Sequence, residues 1–375
     1  MIPKLASRNL FHDRLSLTVT LVGIVFSVVL VAVQLGLYLG SENMIAAMLD
    51  RSRGDLWVVP LGTKSFDDPS LLVGREKYSV LSTEGVESVE ELVVGFAGWR
   101  KPKGGTTAVL VVGSNPVGDG LQPWSLIEGS AAALLAPAAV GIDKSYFEDL
   151  GVTSLGETAE INGNKVNVAA VTKGIRSFTT LPYVFTTLQR ARTYLEATPE
   201  QATYGLVRLR PNADPERVRT ALAARLKDTE ILTREEFRKR SLDYWLFQTG
   251  AGSALIAGAT LGLIVGIVIV AQTLYSSTKD HLNEFATLRA LGASAGYIHR
   301  VILTQALISA VIGYVLGMLL SLLVIWLTQD TTLTIVMTPG LAAVLLALTV
   351  GMCVLSAVSA IFKVTRIDPA VVFAR

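Results

Sequence analysis

Hydrophobic and polar positions divide the chain into four long apolar stretches and one large mixed segment. Asp, Glu, Lys and Arg are all absent from the apolar stretches, which are Leu15–Ser41, Tyr244–Thr278, Val301–Gln329 and Thr331–Phe362. Each stretch is longer than the ~20 apolar residues that an α-helix needs to cross a bilayer. The pattern therefore predicts a membrane protein with four transmembrane helices, the first within residues 1–40 and the other three within 246–375.

The mixed segment, residues 41–245, has the pattern of a large mixed α+β domain with two subdomains. Runs rich in β-branched and aromatic residues predict strands at Asp55–Pro60, Thr106–Gly113, Leu181–Thr186 and Tyr204–Leu209. Alternating residues around Asn162-Gly163-Asn164 predict a β-hairpin over Ala159–Val171. Helices are predicted at Asp143–Leu150 and Asp214–Leu226, and loops at 62–80 and 98–105.

A further helix is predicted at Thr233–Tyr244, where Thr233 and Glu236 have the spacing of a capping box. Neither Pro nor Gly occurs between Arg234 and Gln248, so this helix is predicted to run into the second span almost without interruption. Such a connection would transmit motion across the membrane. In the alternative interpretation it only positions the domain.

Basic residues in the short segments predict the orientation. They occur before the first span, between spans two and three, and after span four: Lys4, Arg8, Arg14, Lys279, Arg289, Arg300, Lys363, Arg366 and Arg375. Short cytoplasmic segments are enriched in Lys and Arg. Both termini are therefore predicted to be cytoplasmic, with residues 41–245 outside. The first apolar stretch is too long for a signal peptide and no A-x-A-like site follows it, so it is predicted to be a retained anchor.

Composition narrows the possible functions. The chain is 51% hydrophobic and 17% charged, and its formal net charge of +2 indicates no nucleic-acid partner. Cys353 is the single cysteine, which excludes an intrachain disulfide, and no histidine lies between residues 41 and 245. The spans hold no Asp, Glu, Lys or Arg, which disfavours an ion-coupled transporter or a channel.

No catalytic, cofactor-binding or metal-binding residue is predicted. The sequence lacks a Walker A string, a G-x-S-x-G elbow, an H-E-x-x-H motif and an EF-hand loop. The adjacent acids Asp67/Asp68 and Glu90/Glu91 are predicted to be solvated surface residues. An enzyme is therefore disfavoured.

Small residues recur at every fourth position in two spans. The second span carries the stripe Gly250, Ala254, Gly258, Gly262 and Gly266, and the third carries Ser309, Gly313, Gly317 and Ser321. Small side chains let helices approach closely in lipid. For the second span a homodimer interface and packing within one chain both remain open, whereas packing within one chain is favoured for the third.

The loop between spans two and three predicts a short amphipathic helix, 279–293. Ser277-x-x-Asp280 has the spacing of a capping box. Phe285, Leu288 and Leu291 share one helical face, and Gly292 is placed to end the helix. An interfacial helix usually carries several basic residues, but this one has only Arg289, together with Glu284. Docking of its apolar face into a groove on a partner protein is therefore favoured.

This loop carries a family resemblance. The string Glu284-Phe285-Ala286-Thr287-Leu288-Arg289-Ala290-Leu291-Gly292-Ala293-Ser294 resembles the "REFATLRALGAS"-type string of FtsX-like (MacB-type) ABC permeases. The ending Ile367-Asp368-Pro369-Ala370 is similar to the "DPA" ending of the family. Three further strings look most like its DevC branch, which serves heterocyst-type glycolipid export: Leu5-Ala6-Ser7-Arg8-Asn9-Leu10, Pro182-Tyr183-Val184-Phe185-Thr186 and Lys279-Asp280-His281.

The resemblance implies a permease subunit of the bacterial inner membrane without its own ATP-binding site. A separate ABC ATPase would bind ATP and dock on the coupling helix, at Glu284, Phe285, Leu288, Arg289, Leu291 and Gly292. A homodimer, membrane lipid, a periplasmic fusion protein and an outer-membrane channel are the other implied partners of a tripartite exporter. Alternatives are LolC/LolE-like extraction of lipids or lipoproteins, and FtsX-like regulation of cell-wall hydrolases.

Overall fold

The computed structural model describes residues 2–72, 74, 76–118, 120–280, 287, 294–329, 331 and 334–365. The chain divides into two compact units. The helical unit is formed by Met1–Gly40, Gly252–Gln329 and Leu333–Arg375, and the sheet unit by Ser41–Ala251 and Asp330–Thr332.

Five helices of the helical unit lie in the described part of the chain. Numbered along the whole chain, they are α1 (Ile2–His12), α2 (Arg14–Arg51), α8 (Ala251–Asp280), α9 (Ala295–Thr328) and α10 (Pro339–Thr365). Within the described residues, four of them, α2, α8, α9 and α10, are long and apolar enough to cross a membrane. The predicted four transmembrane helices are confirmed. Helix α2 contributes residues to both units, because it continues to Arg51.

Helix α2 is the centre of the transmembrane bundle. Gly313 and Gly317 of α9 lie against Ile24 and Val28 of α2, so these two helices run parallel. The glycines of α8 pack on α2 in the opposite order, and Ser27 of α2 reaches Met352 of α10. The start of α2, the end of α8, the start of α9 and the end of α10 therefore lie at one end of the bundle.

The sheet unit contains ten described strands and five helices. The strands are β1 (Leu56–Pro60), β2 (Val86–Arg100), β3 (Thr106–Ser114), β4 (Leu126–Gly129), β5 (Ala139–Asp143), β6 (Thr158–Ile161), β7 (Asn164–Thr172), β8 (Tyr183–Thr187), β9 (Tyr204–Leu209) and β10 (Thr229–Thr233). The helices are α3 (Glu76–Leu81), α4 (Phe147–Leu150), α5 (Leu188–Tyr194), α6 (Pro215–Arg225) and α7 (Arg234–Leu242). The predicted mixed α+β domain between the first two spans is confirmed.

Strand β2 joins the two halves of the sheet. The strand order is β10-β1-β9-β2-β3-β8-β5-β7-β4, and β6 pairs with both β2 and β7. Residues 86–92 of β2 pair with β9, and residues 93–100 pair with β3. An aromatic cluster of Trp57, Phe66, Tyr204 and Phe237 fills the core beside the first half, with ring centroids 5.4–6.2 Å apart.

Several local predictions are confirmed and others are wrong. Strands β1, β3, β8 and β9 lie where the pattern placed them, and Asn162 and Gly163 form the hairpin turn with φ of 44° and 81°. The predicted loop at 98–105 is wrong because β2 continues to Arg100, and the loop at 62–80 contains α3. Only the last turn of the helix predicted at Asp143–Leu150 is α-helical; a 3-10 turn precedes it.

The second span begins later than predicted. Residues Asp243–Gln248 form a π-helix, and Gly250 adopts φ of 82°, which ends the helical path before α8 starts at Ala251. The nearly continuous helix predicted from Thr233 into the span is therefore interrupted at Thr249 and Gly250, and the predicted capping box of Thr233 and Glu236 is present. The fourth span also starts later, at Pro339, because the preceding residues 334–338 are not helical.

Candidate functional site: coupling segment, helix pair and buried loop

The six predicted coupling residues, Glu284 to Gly292, lie outside the described residues. Of the predicted coupling helix, the structure describes Lys279, Asp280 and Thr287, and Thr287 is helical. Helix α8 includes Ser277 and continues to Asp280, so the predicted capping box at Ser277 is wrong. The helices on either side of the segment are described: α8 ends and α9 begins at the same end of the bundle.

The glycine stripe of α8 packs inside one chain. A methyl group added at Gly258 would lie 2.6 Å from the side-chain nitrogen of Gln34, and one at Gly262 would lie 2.9 Å from Leu30. A methyl group at Gly266 would overlap Ser27 and Met352. These contacts agree with the intrachain alternative for these three glycines. Ala254 is exposed and Gly250 lies before the helix, so the stripe is shorter than predicted. The homodimer stays a prediction.

A pair of helices in the sheet unit is held together by charge. The Arg238 guanidinium of α7 lies 3.1 Å from a carboxylate oxygen of Glu42 and 3.3 Å from one of Asp50, both on α2. Arg234 also donates a 3.4 Å hydrogen bond to the carbonyl of Ser52, directly after α2. These contacts fix α7 against residues 42–52 at its first residue and at its middle.

In the loop that follows β1, Thr63, Ser65, Phe66 and Asp67 are buried, and α7 and the π-helix hold the loop in place. Arg240 donates to the carbonyl of Thr63 at 3.2 Å, and Trp245 donates from Nε1 to the Ser65 hydroxyl at 3.0 Å. The hydroxyl of Tyr204 donates to the carbonyl of Phe66 at 2.9 Å. We call residues 61–68 the buried loop. It joins the helix pair to the core of the sheet.

The acid pairs predicted as solvated surface residues are partly buried, which corrects that prediction. Asp67 is 6% exposed and accepts a 2.8 Å hydrogen bond from the Tyr183 hydroxyl. Burial raises the pKa of Asp67 to about 6, and the Tyr183 hydrogen bond only partly opposes this. The Glu91 side chain is 9% exposed and lies 2.9 Å from Lys77 and 3.4 Å from Arg192.

Asp67 gives the sheet unit a pH-dependent stability. Its folded-state pKa of about 6 lies above the model-peptide value of 3.8, so its contribution is complete below pH 3.8 and is lost as the pH rises through 6. Asp67→Asn keeps an acceptor for Tyr183 but cannot ionise. We expect this variant to unfold with a free energy up to about 3 kcal/mol higher than the parent at pH 8, and with little difference near pH 4.

Chemical denaturation of the full chain in detergent, followed at several pH values between 4 and 8, measures this difference. Asp68→Asn, at the partly exposed neighbour, is the matched control and should change the pH profile little. A difference between parent and Asp67→Asn that stays constant with pH would show that the buried carboxyl does not titrate in this range.

The described residues of the sheet unit are linked by side-chain contacts rather than gathered around a metal-binding cluster. Among them, no group of three or more His, Cys, Asp or Glu side chains is arranged to hold a metal ion. What the structure brings together is a helix pair, a buried loop and a strand core, linked by hydrogen bonds and ion pairs.

Comparison with known proteins gives two family matches. Residues 17–225 match the MacB-like periplasmic core domain, and residues 256–369 match the FtsX-like permease C-terminal domain. The first match alone covers more than half of the chain. A comparison with curated proteins finds no match.

Three solved structures are similar to part of the chain. The periplasmic region of MacB from Actinobacillus actinomycetemcomitans is 11% identical with a TM-score of 0.39, covering 52% of this chain and 96% of that one. The extracellular domain of the noncanonic ABC-type transporter YknZ from Gram-positive bacteria is 18% identical with a TM-score of 0.34. The match covers 48% of this chain and 99% of that one. A domain of a permease protein from Porphyromonas gingivalis is 16% identical with a TM-score of 0.33, covering 48% and 88%.

Proposed function

The chain belongs to the MacB-like and FtsX-like family of ABC transporter permeases, and from this premise we propose that it is the permease of a MacB-type exporter. In this proposal a separate ATPase docks on the cytoplasmic coupling segment, and this ATPase binds and hydrolyses ATP. The resulting movement reaches the sheet unit, which acts in the periplasm on a fusion protein and an outer-membrane channel. Both termini and residues 279–300 are then cytoplasmic.

The observation that carries the proposal is the continuity of α2 and its fixation to α7. At 1.5 Å per residue, the 38 residues of α2 extend about 57 Å, well beyond the ~30 Å hydrocarbon core of a bilayer. Its last turns are bound to Arg238, and α7 in turn holds the buried loop. In this proposal a displacement of the first span reaches α7 and the buried loop along α2, which is a single helix.

The Arg238 contacts provide the test. Arg238→Glu places a third acid beside Glu42 and Asp50, which should separate α7 from α2. We expect the variant to bind its ATPase normally, because the change lies in the sheet unit. The ATP-dependent movement of the sheet unit should be lost. Each of these partly exposed ion pairs is worth only about 0.2–1 kcal/mol, so the fold itself should survive.

Spin labels measure the movement without knowledge of the substrate. One label at Leu155→Cys in the sheet unit and one at Leu327→Cys in α9 would be followed in a Cys353→Ser background, with ATPase and vanadate. Arg219→Glu, which disturbs the pairs of Arg219 with Glu216 and Glu236 in the same unit, is the matched control. If the sheet unit of the Arg238→Glu variant moves with ATP as that of the parent does, the helix pair does not transmit the ATP-driven movement.

The periplasmic partner distinguishes the exporter from the other members of the family. Capture of a fusion protein by the full-length permease–ATPase complex supports export. Capture of a lipoprotein carrier supports LolC/LolE-like extraction, and capture of a cell-wall hydrolase supports FtsX-like regulation. The glycolipid substrate of the DevC branch is part of this proposal and is tested by lipid analysis of cells that lack the permease.

A further inference from the structure

Helix α1 is a separate amphipathic element at the start of the helical unit. It ends at His12, and Asp13 begins the next helix by accepting a 3.1 Å hydrogen bond from the backbone N–H of Ser16. The break falls directly before the first span. The orientation of α1 is therefore set by its own contacts.

One face of α1 packs on the beginning of α9. Ala6 is completely buried against this helix, together with the completely buried Val301, and Ile2, Leu5 and Tyr297 surround them. The contact holds α1 beside the end of the bundle that is predicted to face the cytoplasm. It leaves the opposite face of α1 uncovered in the helical unit.

The uncovered face of α1 carries an arginine and an aromatic side chain, and a second arginine begins α2. Arg8 and Arg14 are exposed, and Phe11 between them is 54% exposed. Neither arginine forms an ion pair with a residue in the described part of the chain. The only acid in this stretch, Asp13, is engaged in capping α2. The face therefore carries positive charge that the described protein does not neutralise.

The first span has an exposed apolar stripe that begins directly after Arg14. Leu15, Val19, Val22 and Phe26 are exposed at helical spacing along α2, immediately after Arg14. A stripe of exposed apolar residues on a transmembrane helix faces acyl chains. Since Phe11 and the two arginines lie at its start, they lie at the level where acyl chains give way to headgroups.

We propose that the uncovered face of α1, together with Arg14 at the start of α2, binds anionic phospholipid headgroups. Arg8 and Arg14 contact the lipid phosphates, and Phe11 inserts at the boundary between headgroups and acyl chains. Basic side chains with an aromatic anchor are the features by which an in-plane helix binds such a surface. A soluble acidic protein fits the face less well, because the apolar stripe that begins directly after Arg14 is covered by lipid.

The experiment measures which lipid surrounds α1 in the full-length chain. A fluorescent label at His12→Cys, in a Cys353→Ser background, is placed in mixed vesicles of phosphatidylglycerol and phosphatidylcholine. Brominated acyl chains on one lipid at a time quench the label in proportion to the local amount of that lipid. We expect phosphatidylglycerol to be enriched around the label above its share of the vesicle.

Each arginine should contribute about fivefold to the enrichment, which is the ~1 kcal/mol of a basic residue near an anionic surface converted at 1.4 kcal/mol per decade. Arg8→Gln and Arg14→Gln should each lose this factor, and Arg8→Lys should keep most of it. Arg217→Gln, at an exposed arginine of α6, is the matched control and should change nothing.

Two results would overturn the proposal. In the first, phosphatidylglycerol shows no enrichment around the parent protein. In the second, Arg8→Gln and Arg14→Gln leave the enrichment unchanged but weaken copurification of the ATPase, which would assign the face to a protein partner.

Discussion

Phe285→Ala is expected to weaken binding of a separate ATPase by roughly 30-fold or more. Loss of a buried aromatic anchor commonly costs about 2–4 kcal/mol, and 1.4 kcal/mol corresponds to a factor of ten. Phe285 and Leu288 are proposed as the anchors, because they share one face of the predicted coupling helix. In the sequence, the two residues follow α8 and precede α9. The structure brings the end of α8 and the start of α9 to one end of the bundle.

Titration of purified ATPase onto the full-length permease in nanodiscs measures the loss. Glu284→Ala is the matched control, since a charge at the rim of an interface matters less than an anchor. The sheet unit should remain folded in both variants, as judged by its tryptophan fluorescence. If the Phe285→Ala permease binds the ATPase with parental affinity and still stimulates hydrolysis, the segment is not the coupling helix.

Gly40→Ala is expected to disrupt packing at the far end of the first span. Residues 334–338 lie against α2 without helical structure, and the backbone N–H of Val336 donates a 3.0 Å hydrogen bond to the carbonyl of Gly36. A methyl group at Gly40 would overlap the carbonyl oxygen of Thr334. Since a backbone oxygen cannot rotate away, we expect a cost at the upper end of the ~1–3 kcal/mol usual for overpacking.

Unfolding of the full chain in mixed micelles measures this cost. Gly351→Ala is the matched control: it also places alanine inside a transmembrane helix, but nothing lies within 4 Å of the added methyl group. The control should be neutral or slightly stabilising, because alanine favours helix more than glycine does. Equal stability of the two variants would mean that residues 334–338 do not pack on Gly40.

The sequence predicts those parts of the fold for which only one backbone conformation is physically favourable. A stretch of more than 20 apolar residues must become a helix in lipid, because its backbone has no other hydrogen-bonding partner there. Asn162-Gly163 similarly requires a tight turn with positive φ at both residues. Strand β2 was missed because its first half carries Glu87, Glu90 and Glu91, and glycines interrupt its second half.

The same reasoning explains what was missed in the candidate site. The spacing of Gly258, Gly262 and Gly266 defines a close-packing face, but it does not identify the helix on the other side. That helix, α2, presents bulky side chains such as Leu30 and has no matching stripe there. The burial of Asp67 depends on Tyr183, more than a hundred residues later, so no local pattern marks it.

The central position of α2 has a consequence for biogenesis. During synthesis the first span enters the membrane before the other three spans have been made, and about two hundred residues of the sheet unit are synthesised before α8 emerges. The first span must therefore remain in the bilayer on its own hydrophobicity. The later spans then pack on this helix, and their glycines contact side chains of α2 that are already in the membrane.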